Sequence, residues 1–296
     1  MNPWPVVIAD LRAMRWVAWA TPLLVAIAVA IGVAIAAQEA SIRRASATAA
    51  DDFDVLIGAP GSQTQLTLTA VYLQAEALPL LPTSLLNQIA ADARAHGAAP
   101  LAFGDIVHGY PVIGSTRGFA SRWSRLAPIE GRLFERRGEA VIGADVKLAP
   151  GDEVTPSHTV AGRRYAFGVE SYEDQRHRHD HVRYRVVGRL PRLDSPWDRA
   201  ILVPIESVWE THDLGGEHAH KQSAIGAPFD ADAPGAPAIV VKPRTIADAY
   251  ALRAAYRQGG TMAFFPAEVL VSLYRALGDA RDILIIATAL NNLLIF

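Results

Sequence analysis

Residues 16–37 read WVAWATPLLVAIAVAIGVAIAA, a run that contains no charged side chain. As an α-helix it would extend about 33 Å, enough to cross the hydrocarbon core of a bilayer. Arg12 and Arg15 precede the run, and Trp16 and Trp19 lie near its start, a pattern typical of the interface between lipid and water. The run therefore predicts an N-terminal transmembrane helix.

A cleaved signal peptide is the alternative interpretation of this run, because basic residues precede it and Ala-rich sequence follows at 45–50. The apolar part of a signal peptide is only about 7 to 15 residues long, so the length of the run favours a retained helix. Charge does not fix the orientation of that helix, since Arg43 and Arg44 on one side balance Arg12 and Arg15 on the other.

A second apolar run, ILIIATALNNLLIF, occupies residues 283–296. As a helix it would extend only about 21 Å, which is short for a span. No polar sequence follows to end it, and we interpret it as the start of a second transmembrane helix in a truncated chain. An incomplete or interfacial helix is the alternative.

The composition between the two runs is that of a folded domain. Apolar residues make up 51% of the chain, which suffices for a hydrophobic core. The formal net charge of −2 and the scattered Lys and Arg provide no basic surface, so we expect no nucleic-acid partner. The chain has no cysteine, which excludes disulfides and thiolate ligands and leaves any metal to His, Asp and Glu.

Patterns of strands and helices flank a middle segment of short β-branched runs. On the N-terminal side, residues 53–58 and 66–72 predict two strands, and residues 83–97 predict an amphipathic helix that Gly97 ends. On the C-terminal side the elements are, in order, a strand at 238–242, a helix at 245–260 with Thr245 and Asp248 in capping-box spacing, a strand at 262–265 and a helix that begins at Pro266.

These patterns predict an α+β fold in which a β-rich subdomain is inserted into an α/β core. The two parts of the core are separated in sequence and would have to meet in space. The chain then divides into an N-terminal segment with the transmembrane helix at 1–45, a first part of the core at 46–130, the β-rich subdomain with His-rich loops at 131–234, a second part of the core at 235–282 and the start of the second transmembrane helix at 283–296.

The sequence contains no familiar catalytic motif. GAPGSQTQ at 58–65 matches neither the GxxxxGK[ST] nor the GxGxxG nucleotide motif, and HExxH and GxSxG do not occur. We therefore expect no catalytic residue, no intrinsic cofactor and no enzyme activity, with a hydrolase of unfamiliar spacing as the weakest alternative. Asp51, Asp52 and Asp54 follow the first apolar run and predict a solvated, charged collar.

Histidine is the residue type that points to a site, because seven of the nine His residues lie between His158 and His220. In an extended segment, residues 177, 179 and 181 project from one face about 7 Å apart, so that two imidazoles reach one ion. A solvated loop that binds metal weakly and a pH sensor are the alternatives. With carboxylates nearby the set suits Zn²⁺ or, less selectively, nickel or copper, and the predicted ligands are His177, His179, His181, His212, His218 and His220.

Three stretches of the middle segment share motifs with a known family. They are GEAVIGADVKLAPGDEV at 138–154, with its GD-x-V turn, YRVVGRL at 184–190, and DRAILVPIESV at 198–208, with a strand that ends in VP. In these motifs and in the order of its elements, nearly the whole chain resembles the MacB-type, FtsX-like permeases of ABC transporters.

The resemblance implies a subunit of the bacterial inner membrane with one full span and a large periplasmic core domain. It also implies a homodimer or a heterodimer with a second permease, a separate ABC ATPase that alone binds ATP, and a periplasmic partner protein. ATP hydrolysis would move the periplasmic domain, and the helix from Pro266 would be the stalk that transmits this motion or only a connection back to the membrane. The family has four membrane helices, and the last three would follow Phe296, so residues 1–296 would not transport alone.

The predicted function is thus a permease subunit with a link to zinc through its His-rich loops. The alternative is a signal-anchored periplasmic metal-binding or sensor protein without an ATPase partner. Further spans after residue 296 would favour the first interpretation, and a natural stop there would favour the second.

Overall fold

The computed structural model describes residues 4, 9 and 13 singly and the stretches 15–74, 76–159, 176–178, 182–212, 225–230 and 232–276. The chain divides into two compact units, Met1–Ser46 and Ala47–Phe296.

The first unit is dominated by helix α1, Arg15–Ala50, whose last residues belong to the second unit. Large apolar side chains along α1 are exposed, from Trp16 at 79% to Ile35 at 50%. Among the residues that the structure describes, none forms a helix with both the length and the hydropathy that crossing a membrane requires. The helix predicted at 16–37 is therefore confirmed as a helix, and its place in a membrane stays a prediction.

The second unit contains a large mixed sheet with helices on both faces. Its strands are β1 Val55–Gly58, β2 Ala95–Val107, β3 Tyr110–Ser115, β4 Glu130–Gly131, β5 Glu139–Ile142, β6 Glu153–Val154, β7 Ser157–Thr159, β8 Arg176–Arg178, β9 Tyr184–Arg189, β10 Ile201–Pro204, β11 Ala238–Pro243 and β12 Met262–Phe264. Its helices are α2 Gln63–Tyr72, α3 Thr83–Ala90, α4 Arg117–Ala120, a 3-10 helix at Pro196–Arg199, α5 Ile205–Thr211, α6 Ile246–Tyr256 and α7 at 266–276. The predicted α+β class is confirmed.

The strand order is β12-β1-β11-β2-β3-β10-β5-β9-β4, with β6 beside β9, β7 beside β2, and β8 beside β7. The pairs β3–β10 and β5–β9 are parallel. The strands β1, β11 and β12, which come from the two ends of the domain, are joined by antiparallel pairing. Segments far apart in sequence thus meet at one end of the sheet, as the pattern predicted.

Strand β2 connects the two halves of the sheet. Its first half pairs with β11 and its second half with β3, and the register shifts between Ala102 and Asp105. Gly104 lies in this shift with φ +142, a conformation that a side chain would strain. The bend places Asp105 where the strand changes partners.

The sheet buries apolar side chains on both faces. Along β1, Val55 and Ile57 belong to one core and Leu56 to the other, as the two-residue period of a strand requires. Helices α3, α5 and α6 contribute to the first core, and α2 and α4 contribute to the second. Successive residues of β1 are therefore buried in opposite cores, which indicates a sheet that helices cover on both faces.

The strand predicted at 66–72 is wrong, because these residues lie in helix α2. Ser62 accepts a hydrogen bond from the Gln65 amide and caps the helix at 3.2 Å. The hydroxyls of Thr67 and Thr69 each donate to the carbonyl oxygen four residues earlier, at 2.8 and 3.0 Å. The alternating Leu and Thr of this segment are compatible with a helix as well as with a strand. The cap formed by Ser62 favours the helix.

The helix predicted at 83–97 is too long. Helix α3 ends at Ala90, and Asp92 and Arg94 form an ion pair of 2.6 Å in the turn that follows. Gly97 lies in β2 rather than at a helix end, and a Cβ there would come within 2.5 Å of the Trp123 ring. Glycine at this position makes room for an indole.

The predicted elements after residue 238 are confirmed. They appear as β11, α6, β12 and α7, and Thr245 caps α6 by accepting a hydrogen bond from the Asp248 amide at 3.1 Å. The second apolar run, 283–296, lies outside the described residues.

Candidate functional site

The six predicted metal ligands do not all lie within the described residues. Their outcomes differ: His177 is placed by its backbone in β8, His212 is described at the C-terminal end of α5, and His179, His181, His218 and His220 lie outside the described residues. Among the residues that are described, no group of three His, Asp or Glu side chains lies close enough to hold a metal ion. The metal site stays a prediction.

His212 contacts a residue that the sequence analysis did not select. Its Nε2 lies 3.2 Å from Oδ2 of Asp105, whose side chain is 1% exposed, whereas that of His212 is 23% exposed. The hydrogen bond with Asp105 raises the pKa of His212, and burial opposes this effect. The pair therefore favours a protonated imidazole beside a buried carboxylate.

Helix α5 holds His212 over the bend of β2. The helix packs closely on β3, because a Cβ at Gly114 would lie 2.6 Å from the side chain of Val208 and 3.2 Å from the Cα of Ile205. Trp209 fixes the same helix by donating its indole N–H to the Gly235 carbonyl oxygen at 2.8 Å. Because Gly114 has no side chain, α5 can pack close to β3, and its C-terminal end lies near Asp105.

Tyr184 and Thr211 form a second polar pair beside the first. Their hydroxyl oxygens are 2.8 Å apart, and the Thr211 hydroxyl also donates to the carbonyl oxygen of Ser207 at 2.7 Å. Tyr184 is therefore the donor to Thr211. Burial raises the pKa of the Tyr184 phenol well above its usual range, and the charge of Asp105 adds to this effect. We name Asp105, His212, Tyr184 and Thr211 the Asp105 cluster.

The strand register places the backbones of two further histidines in the strands beside β2. Ile106 of β2 lies opposite Ser157 of β7, and His158 of β7 lies opposite His177 of β8. Because β2 and β7 are antiparallel, continuing their register by one step sets His158 opposite Asp105. Asp105, His158 and His177 thus occupy one row across three strands.

The segment just after α1 contains a second buried ion pair. Arg122 Nε donates to Asp52 Oδ2 at 2.7 Å, and Arg125 contacts the other carboxylate oxygen. The Arg122 side chain is 1% exposed and lies over the rings of Phe119 and Trp197, at 4.2 and 5.0 Å from their centroids. Burial lowers the pKa of Arg122, and Asp52 opposes this effect. We name this arrangement the Arg122 junction.

The solvated collar predicted at the end of the first apolar run is wrong for Asp52. Its carboxylate is only 15% exposed because two arginines cover it, and Asp54 pairs with Lys242 at 2.7 Å. Three successive residues from Arg122 to Ser124 have φ between +47 and +68, a conformation that is strained for residues with a side chain. This left-handed turn directs the guanidinium towards Asp52.

Comparison with known proteins gives matches only among solved structures. No protein-family model and no curated protein matches the sequence. The periplasmic region of MacB from Actinobacillus actinomycetemcomitans is 11% identical, with 74% of this chain and 91% of that chain covered and a TM-score of 0.40. The extracellular domain of the noncanonic ABC-type transporter YknZ from Gram-positive bacteria is 11% identical, with 71% and 98% covered and a TM-score of 0.40. A likeness of this size carries no argument about function.

The sequence analysis missed Asp105, the role of Arg122 and the position of His158. One signal was present for Asp105, a single carboxylate within the apolar strand LAFGDIV at 101–107. A charge in such a strand needs a partner once it is buried. The partner, His212, is too distant in sequence for a local pattern to reveal.

Proposed function

We propose that the chain is a membrane-embedded permease subunit of an ABC transporter, in which ATP hydrolysis by a partner ATPase moves a periplasmic domain. The observation that carries the proposal is where the two flanking helices attach to the sheet. Strand β1 follows α1 closely, and α7 follows β12 closely. Because β1 and β12 are antiparallel and Leu56 lies opposite Phe264, both helices attach at the same end of the sheet. A domain tethered by two neighbouring membrane helices requires this arrangement.

The exposed surface of α1 supports a place in lipid. Moving one such side chain from water to an apolar environment contributes about 1.5–3 kcal/mol. If all the exposed apolar side chains of α1 were in water, the free-energy cost would be large, and a bilayer would remove it. The side chains concerned are Leu23, Leu24, Val25, Ile27, Val29, Ile31, Val33 and Ile35.

The Arg122 junction supports mechanical coupling. The C-terminal end of α1 is buried at Ala49 and Ala50, and Phe53 packs with its ring centroid 5.8 Å from those of both Phe119 and Trp197. The last residues of α1 and the turn after them, which belong to the second unit, are therefore packed and paired. Motion of the helix end would move the sheet with it.

The partners in this proposal follow from the resemblance of the sequence. ATP binds to the ATPase subunit, the permease works as a homodimer or with a second permease, and a periplasmic protein completes the assembly. The chain itself is not an enzyme. Its link to zinc handling would run through the His-rich loops.

The absence of cysteine allows a clean test of the membrane arrangement. Single Ala13→Cys and Thr64→Cys variants of the full chain are labelled in intact spheroplasts with a membrane-impermeant maleimide. We expect Thr64→Cys to be labelled at once, Ala13→Cys only after permeabilisation, and both proteins to stay in carbonate-washed membranes. Labelling in the reverse order would contradict the proposal, as would recovery of the chain in the soluble fraction without its first residues.

A second experiment tests the ATPase partner. The chain is tagged at its own locus, purified from membranes with its bound subunits and assayed for ATP hydrolysis with and without vanadate. We expect vanadate-sensitive hydrolysis in the purified complex and none in the chain expressed alone. Membrane-held chain that brings no ATPase would favour the signal-anchored metal-binding or sensor protein instead.

A further inference from the structure

We propose that residues 225–230 and 232–236 form a strap that locks the two halves of the sheet into one rigid body. Release of the strap lets the halves turn about the bend of β2. The core half contains β12, β1, β11 and the first part of β2, and the β-rich half contains the second part of β2 with β3, β10, β5 and β9. This lock is a property of the domain and does not depend on the transport role.

The path of the chain is the first support. Between the described strands of the two halves, the chain crosses at β2 and again in the connection from α5 to β11, which contains the strap. At the first crossing the register shifts between Ala102 and Asp105, and Gly104 in this shift has φ +142. A glycine within a broken register allows the backbone to bend. The strap, at the second crossing, is therefore placed to restrain rotation about this bend.

Hydrogen bonds to α3, the helix that leads into the first part of β2, hold the strap to the core half. Asn87 donates its side-chain amide to the carbonyl oxygen of Phe229 at 2.7 Å and accepts a hydrogen bond from the Phe229 amide at 3.0 Å. The hydroxyl of Thr83 donates to the carbonyl oxygen of Ala233 at 2.7 Å. Both parts of the strap are thus bonded to the same helix.

The last residues of the strap also pair with the chain just before α3. The amide of Leu81 donates to the carbonyl oxygen of Ala236 at 2.8 Å, and the amide of Ala236 donates to that of Leu81 at 3.1 Å. Gly235 has φ +88, and a Cβ there would lie 2.0 Å from the Leu81 carbonyl oxygen. A residue with a side chain could not come this close, so the glycine is required for the seated strap.

Contacts with α5, which packs on β3, hold the strap to the β-rich half. Glu206 is 2% exposed and accepts a hydrogen bond from the Gly226 amide at 2.6 Å. Trp209 donates its indole N–H to the Gly235 carbonyl oxygen at 2.8 Å, and its ring centroid lies 5.5 Å from that of Phe229. Because buried polar groups are costly to leave unpaired, the seated strap resists partial release.

The test uses the full chain in mild detergent with two nitroxide labels, which the absence of natural cysteine allows. Ala255→Cys in α6, which packs on β11 and β12, and Lys147→Cys in the loop after β5 place one label on each half at exposed positions. Pulsed electron paramagnetic resonance measures the distances between the labels. We expect a narrow distribution in the parent chain and a broader one in the variant Asn87→Ala/Trp209→Phe, which loses one hydrogen-bonding side chain on each half.

The matched control is Ser84→Ala, because Ser84 is an exposed residue of the same helix as Asn87. This variant should keep the narrow distribution of the parent chain. The control separates the loss of strap contacts from a general weakening of α3.

Hydrogen exchange reports release of the strap itself. We expect the amides of Gly226, Phe229 and Ala236 to exchange at least about 10-fold faster in the double variant than in the parent chain. The amides of β10, in the middle of the β-rich half, should exchange at the parent rate, which shows that the domain stays folded. If they also exchange faster, Trp209→Phe alone is the milder variant, and it should give the same changes to a smaller extent.

Three results would overturn the lock. The first is a broad distance distribution in the parent chain, which would mean that the halves already move. The second is faster exchange of the strap amides with a distribution as narrow as that of the parent, which would mean that other contacts hold the halves. The third is parent-like exchange of the strap in both variants. Because these measurements need neither an ATPase nor a bilayer, the lock and the transport proposal can fail separately.

Discussion

The Arg122 junction and the Asp105 cluster each pair a shielded carboxylate with a cationic side chain, but the cations differ. Arg122 is buried and lies against the rings of Phe119 and Trp197, and arginine keeps its charge across the physiological pH range. His212 is partly exposed and carries a charge only when it is protonated. The first pair is suited to a permanent connection, whereas the charge of the second depends on pH.

The two pairs also differ in where the chain places them. Asp52 lies directly after α1, so the junction connects a helix end to the core. Asp105 lies at the bend of β2, next to a strand pair rich in histidine. The first pair therefore lies at a helix end, and the second lies where a strand changes partners.

Removal of Arg122 should have the largest effect of the changes considered. Arg122→Met leaves Asp52 without its buried partner, and we expect the free energy of unfolding to fall by about 3–5 kcal/mol. The matched control is Arg117→Met, because the Arg117–Glu135 pair is exposed at 3.4 Å and contributes at most about 1 kcal/mol. Urea unfolding of the full chain, followed by circular dichroism, measures both. A loss below 1 kcal/mol in Arg122→Met would mean that the junction is not a stabilising pair.

The double variant Arg122→Met/Asp52→Asn sharpens this result. With both charges removed, no unpaired buried charge remains, and we expect part of the lost stability to return. A double variant as unstable as the sum of the single ones would assign the effect to packing against Phe119 and Trp197 instead.

Removal of the cation from the Asp105 cluster should have a smaller effect. His212→Ala deletes a hydrogen bond to a charged group, so we expect a loss of about 1–3 kcal/mol, reduced because solvent can approach the partly exposed site. The unfolding experiment is run with chelator present, so that no metal contributes. Equal losses in His212→Ala and Arg122→Met would remove the distinction between the two pairs.

The sequence predicted what depends on local pattern and missed what depends on distant partners. The elements after residue 238 have clear signals, since Thr245 caps α6 and Pro266 begins α7. The apolar residues of segment 66–72 fit the period of a strand and also that of a helix. Alternation alone therefore could not predict which of the two forms. The pairing of Asp52 with Arg122 joins residues far apart in the chain, and no spacing rule reports such contacts.

The predicted histidine site illustrates the same limit. Sequence spacing selected His212 as a metal ligand and grouped it with its neighbours in sequence, and that role stays a prediction. In space, His212 contacts Asp105, which lies in strand β2, more than 100 positions earlier in the sequence. The backbone register of β7 and β8 sets His158 opposite His177, a pairing that sequence spacing did not predict.

The smallest expected effect comes from the pair of Arg132 and Glu139, in which the arginine side chain is 45% exposed and the carboxylate 13% exposed. Arg132 donates to Glu139 at 2.7 Å and lowers the pKa of Glu139 to about 2 from 4.5. A depressed carboxyl pKa contributes stability that is present above 4.5 and is lost as the pH falls through about 2. We therefore expect the urea midpoints of the parent chain and of Glu139→Gln to differ near neutral pH and to converge in this window. A difference that persists below pH 2 would mean that the Glu139 side chain stabilises by shape rather than by charge. The only remaining contrast with the Arg122 junction would then be that its arginine is buried and Arg132 is exposed.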